Sequence, residues 1–77
     1  MKITLLFFGS LSDILENQDF ELEENSTLAT LIDKLSINQP LLNGYKYKVA
    51  INQKMIEDEV ELREGDEIAF LPPFAGG

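Results

Sequence analysis

Two residue types are missing outright: the 77-residue chain contains neither cysteine nor histidine. Without cysteine there is no disulfide framework, no thiol nucleophile and no iron–sulfur cluster. Without either residue, a zinc or copper site has no ordinary ligands, and imidazole acid–base catalysis is impossible. Basic residues are scarce, with 6 Lys and Arg against 14 Asp and Glu and a net charge of −8. Phosphate contacts need clustered Lys and Arg, so nucleic acid is not an expected partner. The acidic balance has two readings: it keeps a small domain soluble, or it steers the domain toward basic protein surfaces. Long apolar runs are also absent. The longest, Leu5-Leu6-Phe7-Phe8, is far too short to span a membrane, and no signal peptide is visible. A cytoplasmic protein with no membrane partner is therefore expected. Walker-type loops, dinucleotide-binding glycine patterns and a Ser/His/Asp set are missing as well.

The residues that are present build one small globular domain. Lys2 to Phe8 is rich in β-formers and predicts a first strand, with Ile3, Leu5 and Phe7 on one face and Leu6 and Phe8 on the other. Apolar residues on both faces imply an interior strand or a second face that meets a partner. Gly9 breaks the strand. Ser10, followed by Asp13, predicts the N-terminal cap of a short helix over Leu11 to Glu16. Asp19 to Glu23 alternates polar and apolar, as a strand with one wet face does.

Ser26 or Thr27 can cap the next helix, whose Leu28, Leu31, Ile32 and Leu35 form a single stripe. Ile37 to Asn43 reads as loop, with Pro40 preventing continuation. Lys48 to Asn52 predicts a third strand, turning at Asn52-Gln53-Lys54 into Met55-Ile56. Val60 and Leu62 add inward positions. Gly65 supplies the turn before a last strand, Glu67 to Leu71. Ile68 and Phe70 should face one way there, and Ala69 and Leu71 the other.

The opening strands are joined too closely for a parallel crossover and should pair antiparallel. The long helix then crosses to cover one face of a mixed sheet. The expected fold is α+β, a β-grasp or ubiquitin-like arrangement of four to five strands on one long helix plus a short one. It would occupy residues 1–71, leaving 72–77 as an extended, flexible tail ending in Gly-Gly. If the first and last strands are neighbours, Leu6 and Phe8 share a side with Ala69 and Leu71.

Phe8 and Leu71 then lie opposite the helix-covered face, where an apolar patch normally marks a protein interface, a second core being the other reading. The acidic residues Glu57, Asp58, Glu59, Glu61, Glu64, Asp66 and Glu67 lack the ligand spacing of a calcium loop and fit turns and a wet hairpin face. No metal site is expected, and nothing suggests a pocket for paired carboxylates.

The final stretch, Phe70-Leu71-Pro72-Pro73-Phe74-Ala75-Gly76-Gly77, runs from an apolar strand through two prolines to two glycines. Pro72-Pro73 should carry the chain away from the sheet in an extended path. The residues from Pro72 onward could reach roughly 20 Å if extended. Ala75, Gly76 and Gly77 offer almost nothing to pack, and glycine clears the way for close approach in a narrow channel. The carboxylate on Gly77 is therefore expected to be the functional group. It is ionised and a poor electrophile at neutral pH, so acyl chemistry on it requires activation.

Val49-Ala50-Ile51-Asn52-Gln53, Glu64-Gly65-Asp66-Glu67-Ile68-Ala69-Phe70-Leu71-Pro72-Pro73 and Gly76-Gly77 closely resemble the small-subunit family of molybdopterin synthase, which are ubiquitin-like sulfur carriers. Leu5-Leu6-Phe7-Phe8-Gly9 is similar to that family's first strand, so the resemblance spans the chain. It implies that a ubiquitin-activating-type adenylyltransferase, using ATP and Mg²⁺, adenylates Gly77 and that a sulfur donor protein converts it to a thiocarboxylate. It also implies that the tail enters the large subunit of a heterotetrameric synthase and gives its sulfur to cyclic pyranopterin monophosphate. It further implies that the carrier itself binds no cofactor and that the catalytic side chains belong to its partners. Phe8, Met55 and Leu71 match the family's interface with the large subunit, and Pro72, Pro73, Phe74, Ala75 and Gly76 form the inserting tail. Phe74 departs from the smaller aliphatic residue usual there, which implies a wider channel or a pocket for the ring. Three alternatives stay open: the thiamine-pathway sulfur carrier, a ubiquitin-like protein modifier, and a β-grasp interaction module that never uses its terminus.

Overall fold

The computed structural model describes residues 1–73. Its first strand, β1 (Lys2–Phe7), alternates as a period of two demands: Ile3, Leu5 and Phe7 are buried while Lys2 is exposed. β2 (Gln18–Glu21) returns antiparallel to it, Ile3 opposite Phe20. The linking residues Gly9–Asp13 form a 3-10 turn, not the predicted helix over Leu11 to Glu16. No side chain caps that turn, so Ser10 does not play the expected role; Ser12 Oγ instead donates to the Gly9 carbonyl at 2.7 Å. One buried anchor, Leu11, holds so short a segment, too few apolar positions for a full helical face.

α1 (Leu28–Asn38) begins at Thr27, whose Oγ1 accepts from the Thr30 N–H at 3.3 Å. The Glu59 carboxylate accepts from the Ala29 N–H at 3.1 Å, placing negative charge at the helix N-terminus where the dipole favours it. Leu28, Leu31 and Leu35 are buried, whereas Ile32 is only half-buried at the edge of the stripe. The helix runs through Ile37, which was expected to be loop. Proline restricts the residue before it, so Pro40 forces Gln39 out of helical geometry and permits everything up to Asn38. Pro40–Gly44 is a second 3-10 turn, pinned by buried Leu42.

β3 (Lys48–Ile51) and β4 (Lys54–Ile56) make a tight hairpin. Its two turn residues, Asn52 and Gln53, take φ of 51° and 71°, the left-handed pair that matches the twist of the strands. β5 (Glu67–Leu71) has the expected bounds and lies parallel to β1 and antiparallel to β3. The result is a mixed five-stranded sheet in the order β2-β1-β5-β3-β4. β1 and β5 are thus interior strands, which is why both carry apolar residues on both faces.

The core lies between α1 and one sheet face. Ile3, Leu5, Phe7, Val49, Ile68 and Phe70 meet the helix leucines, and Leu11, Leu22, Leu42 and Leu62 close the sides. Phe7 stacks on Phe70 at 5.1 Å, and Tyr47 meets Phe70 edge-on at 5.4 Å. Offset and edge-on aromatic pairs of this kind add to the stabilisation from burial. The architecture is a β-grasp.

Candidate docking face and tail exit

The strand register decides what the uncovered sheet face presents. Ala69 pairs with Leu6 on β1 and with Ala50 on β3, and Ala50 pairs with Met55 on β4. Leu6, Ala69, Ala50 and Met55 therefore form one row across the sheet, on the side away from α1. One step further along β5, Leu71 pairs with Lys48 and continues the register that sets it beside Phe8. The Phe8 N–H donates to the Phe70 carbonyl at 3.1 Å, so the ladder does extend that far.

Phe8 and Leu71 thus share a side with Leu6 and Ala69, as expected from strand parity. Phe8 is 43% exposed and Met55 is 52% exposed, large values for side chains of their size. Leu6 and Leu71 are half-buried, and the two alanines lie low among the taller side chains. The face is a shallow apolar surface with a small-residue floor. Its far end is polar: Thr4 Oγ1 bonds Asp19 at 3.2 Å, and Lys2 pairs with Asp19 at 3.6 Å in an exposed ion pair of little energetic weight.

Beside this surface a cleft is lined by Leu28, Tyr47, Lys48, Val49, Met55 and Ile56. Burial pushes the Tyr47 phenol above its ordinary pKa. Among the described residues no group of three or more Asp or Glu could hold a metal ion. Several carboxylates of the 57–67 stretch have structural partners instead. Glu59 accepts from the Ala29 and Val60 N–H groups, Asp66 from the Arg63 N–H and Asn52 Nδ2, and Glu64 from the Lys2 N–H.

The tail leaves at the same end of the sheet as Phe8 and Leu71. Pro72 is half-buried and Pro73 exposed. The expectations placed on Phe74, Ala75, Gly76 and Gly77 lie outside the described residues. Two residues of this region went unread in the sequence. Ala50 belongs to the row and was recoverable from the alternation of Val49-Ala50-Ile51. Gly9, read only as a strand breaker, lies directly against Pro72; no local pattern joins positions so far apart.

Fold and exposed row together define a ubiquitin-like β-grasp domain with one apolar sheet face that the described residues leave uncovered. The ThiS family model matches residues 5–77, and the chain belongs to that family. It is 31% identical to the molybdopterin synthase sulfur carrier subunit of Haemophilus influenzae, over 97% of this chain and 99% of that one. It is 28% identical to the protein of the same name from Mycobacterium tuberculosis, over 100% and 99% of the two chains. Among solved structures it superposes on a chain of the complex of subunits 1 and 2 of molybdopterin-converting factor from Helicobacter pylori. The TM-score there is 0.76, with 29% identity and full coverage of both chains. SAMP1 from Haloferax volcanii matches with a TM-score of 0.80 at 19% identity and full coverage of both chains, a likeness of fold.

Proposed function

We propose that this protein is the sulfur carrier of a molybdopterin synthase. The Gly77 carboxylate attacks the α-phosphate of ATP on a ubiquitin-activating-type enzyme, releasing pyrophosphate and leaving an acyl-adenylate. A sulfide equivalent from a donor protein displaces AMP, and the C–O bond to phosphate is replaced by a C–S bond. The thiocarboxylate sulfur then bonds to a carbon of cyclic pyranopterin monophosphate inside the large subunit, and water cleaves the acyl C–S bond, leaving the sulfur on the pterin and restoring the Gly77 carboxylate. ATP and Mg²⁺ belong to the activating enzyme, and the cytoplasm is where such a carrier would meet these partners. The described residues contribute docking and aim.

One observation carries this reading. The apolar surface of Leu6, Phe8, Met55 and Leu71 adjoins the point where β5 runs into Pro72, so a partner seated on that face is at the mouth of the tail. The names of the full-length relatives support the synthase over the thiamine pathway. Incubation with the activating enzyme, ATP and a sulfur source should exchange one terminal oxygen for sulfur, read by intact mass. An unchanged mass, where a control carrier is modified, rejects the proposal. Binding to a thiazole synthase and not to the synthase large subunit would reassign the pathway while keeping the chemistry.

A further inference from the structure

Gly9 has φ of +59°, and a Cβ built on it would lie 2.5 Å from Pro72 Cγ and 3.4 Å from Pro72 Cδ. The register explains the meeting: Phe7 faces Phe70 across the parallel β1–β5 pair, and two further steps bring Gly9 to Pro72. We propose that Gly9 is a positioning residue, its missing side chain seating the Pro72 ring and so fixing the direction in which the tail leaves the sheet. The contact stands by itself; its consequence for sulfur transfer rests on the sulfur-carrier reading.

Gly9 cannot easily yield. Its carbonyl accepts from Ser12 Oγ at 2.7 Å, and the Phe8 carbonyl accepts from the Leu11 N–H at 3.2 Å. On the strand side the Phe7 N–H donates to Asn17 Oδ1 at 2.7 Å and the Phe8 N–H to Phe70. Buried Leu11 fastens the turn to the core. Pro72 is the partner that must move, and its ring can change pucker but cannot rotate away, because it is closed onto the backbone nitrogen. Both Leu71 and Pro72 precede a proline, which restricts them to extended geometry. A tilt at Pro72 is therefore passed on through Pro73 instead of being absorbed.

The displacement grows along the two prolines. Restoring ordinary contact moves the ring by about 1 Å, which over one Cα–Cα step of ~3.8 Å is a tilt of roughly 15°. Across the two prolines alone, roughly 7 Å of chain, that tilt displaces the start of the following segment by roughly 2 Å. Misplacement of even ~1 Å can cost about a hundredfold in a positioned reaction.

The test has a structural arm and a kinetic arm. By NMR, the wild-type protein should show a cross-peak between the Gly9 Hα protons and the Pro72 ring. Gly9→Ala should change the Cα–Hα residual dipolar couplings of Pro72 and Pro73 and leave those of β3 unchanged. A missing cross-peak, or unchanged proline couplings in a folded Gly9→Ala variant, overturns the proposal whatever the tail does. In single-turnover sulfur transfer within the saturated complex with the large subunit, Gly9→Ala should be slower by about tenfold or more. Pro72→Ala, which removes Cγ and Cδ, keeps the proposal testable if Gly9→Ala does not fold: it too should slow transfer. The double variant should be no slower than Pro72→Ala alone, because the clash is gone. Wild-type speed in Gly9→Ala, or effects that multiply in the double variant, rejects a role acting through Pro72. Failure of the wild type to accept sulfur rejects the carrier reading instead, and the structural arm still decides the contact.

Discussion

Phe7 and Phe8 are adjacent in sequence and opposite in consequence. Phe7 is buried against Phe70, while Phe8 leaves 43% of its surface to solvent on the other face. Phe70→Ala removes a ring stacked on Phe7 and met edge-on by Tyr47, and should cost about 3–5 kcal/mol of stability in urea unfolding. That is a large share of the ~5–15 kcal/mol available to a domain of ordinary stability. Phe8→Asp should instead retain cooperative unfolding and weaken binding to the synthase large subunit by about 2 kcal/mol or more, read by calorimetric titration. Leu71→Asp should behave likewise, with some loss of stability because Leu71 is half-buried. Collapse of cooperative folding in Phe8→Asp would return that ring to the core. Strand alternation alone separated these two rings, since side-chain direction in a strand follows from position.

Among the elements, the β3–β4 hairpin carries local strain that can be measured. Gln53 holds φ of 71°, a region where a non-glycine side chain costs roughly 1–2 kcal/mol. Asn52 tolerates its own φ of 51° better, since asparagine visits this region routinely. Gln53→Gly should therefore raise the unfolding midpoint, by at most about 1 kcal/mol in free energy after the entropy that glycine adds to the unfolded chain. A lower midpoint would mean that the Gln53 side chain has a compensating role. At this scale the long elements were legible. β5 was read to the residue because alternation and the Gly65 turn bracket it, and α1 was read from its leucine stripe. The weak points were short segments with one anchor each. The Gly9–Asp13 turn resembled a capped helix because Ser10 and Asp13 have the right spacing, but Leu11 is its one buried side chain. At the C-terminal end of α1, Ile37 to Asn43 reads as loop in sequence, but the helix reaches Asn38 because Pro40 bars helical geometry only from Gln39 onward.

For the whole molecule, the proposed role of the Gly77 carboxylate makes a direct prediction. Deleting Gly76-Gly77, or extending the chain by one residue beyond Gly77, should leave the melting temperature unchanged while abolishing sulfur acceptance or transfer. Retained transfer in the extended chain would mean that the Gly77 carboxylate is not the reacting group. The net charge of −8 offers a second prediction, read by association kinetics. If it steers association, the on-rate for the large subunit should fall as salt rises, whereas charge that only solubilises would leave the on-rate flat.

Sequence by itself determined the strands and the helix stripe, because burial periodicity is written residue by residue. It also carries the Pro-Pro and Gly-Gly motif on which the proposed chemistry of Gly77 rests. Tertiary structure decided what sequence spacing cannot encode, namely which strands are neighbours and in what register. The parallel β1–β5 pairing assembled Leu6, Ala69, Ala50 and Met55 into one surface, and it laid Pro72 against Gly9. The physical reason is that such contacts join residues at opposite ends of the chain, and packing of the core between sheet and helix selects them.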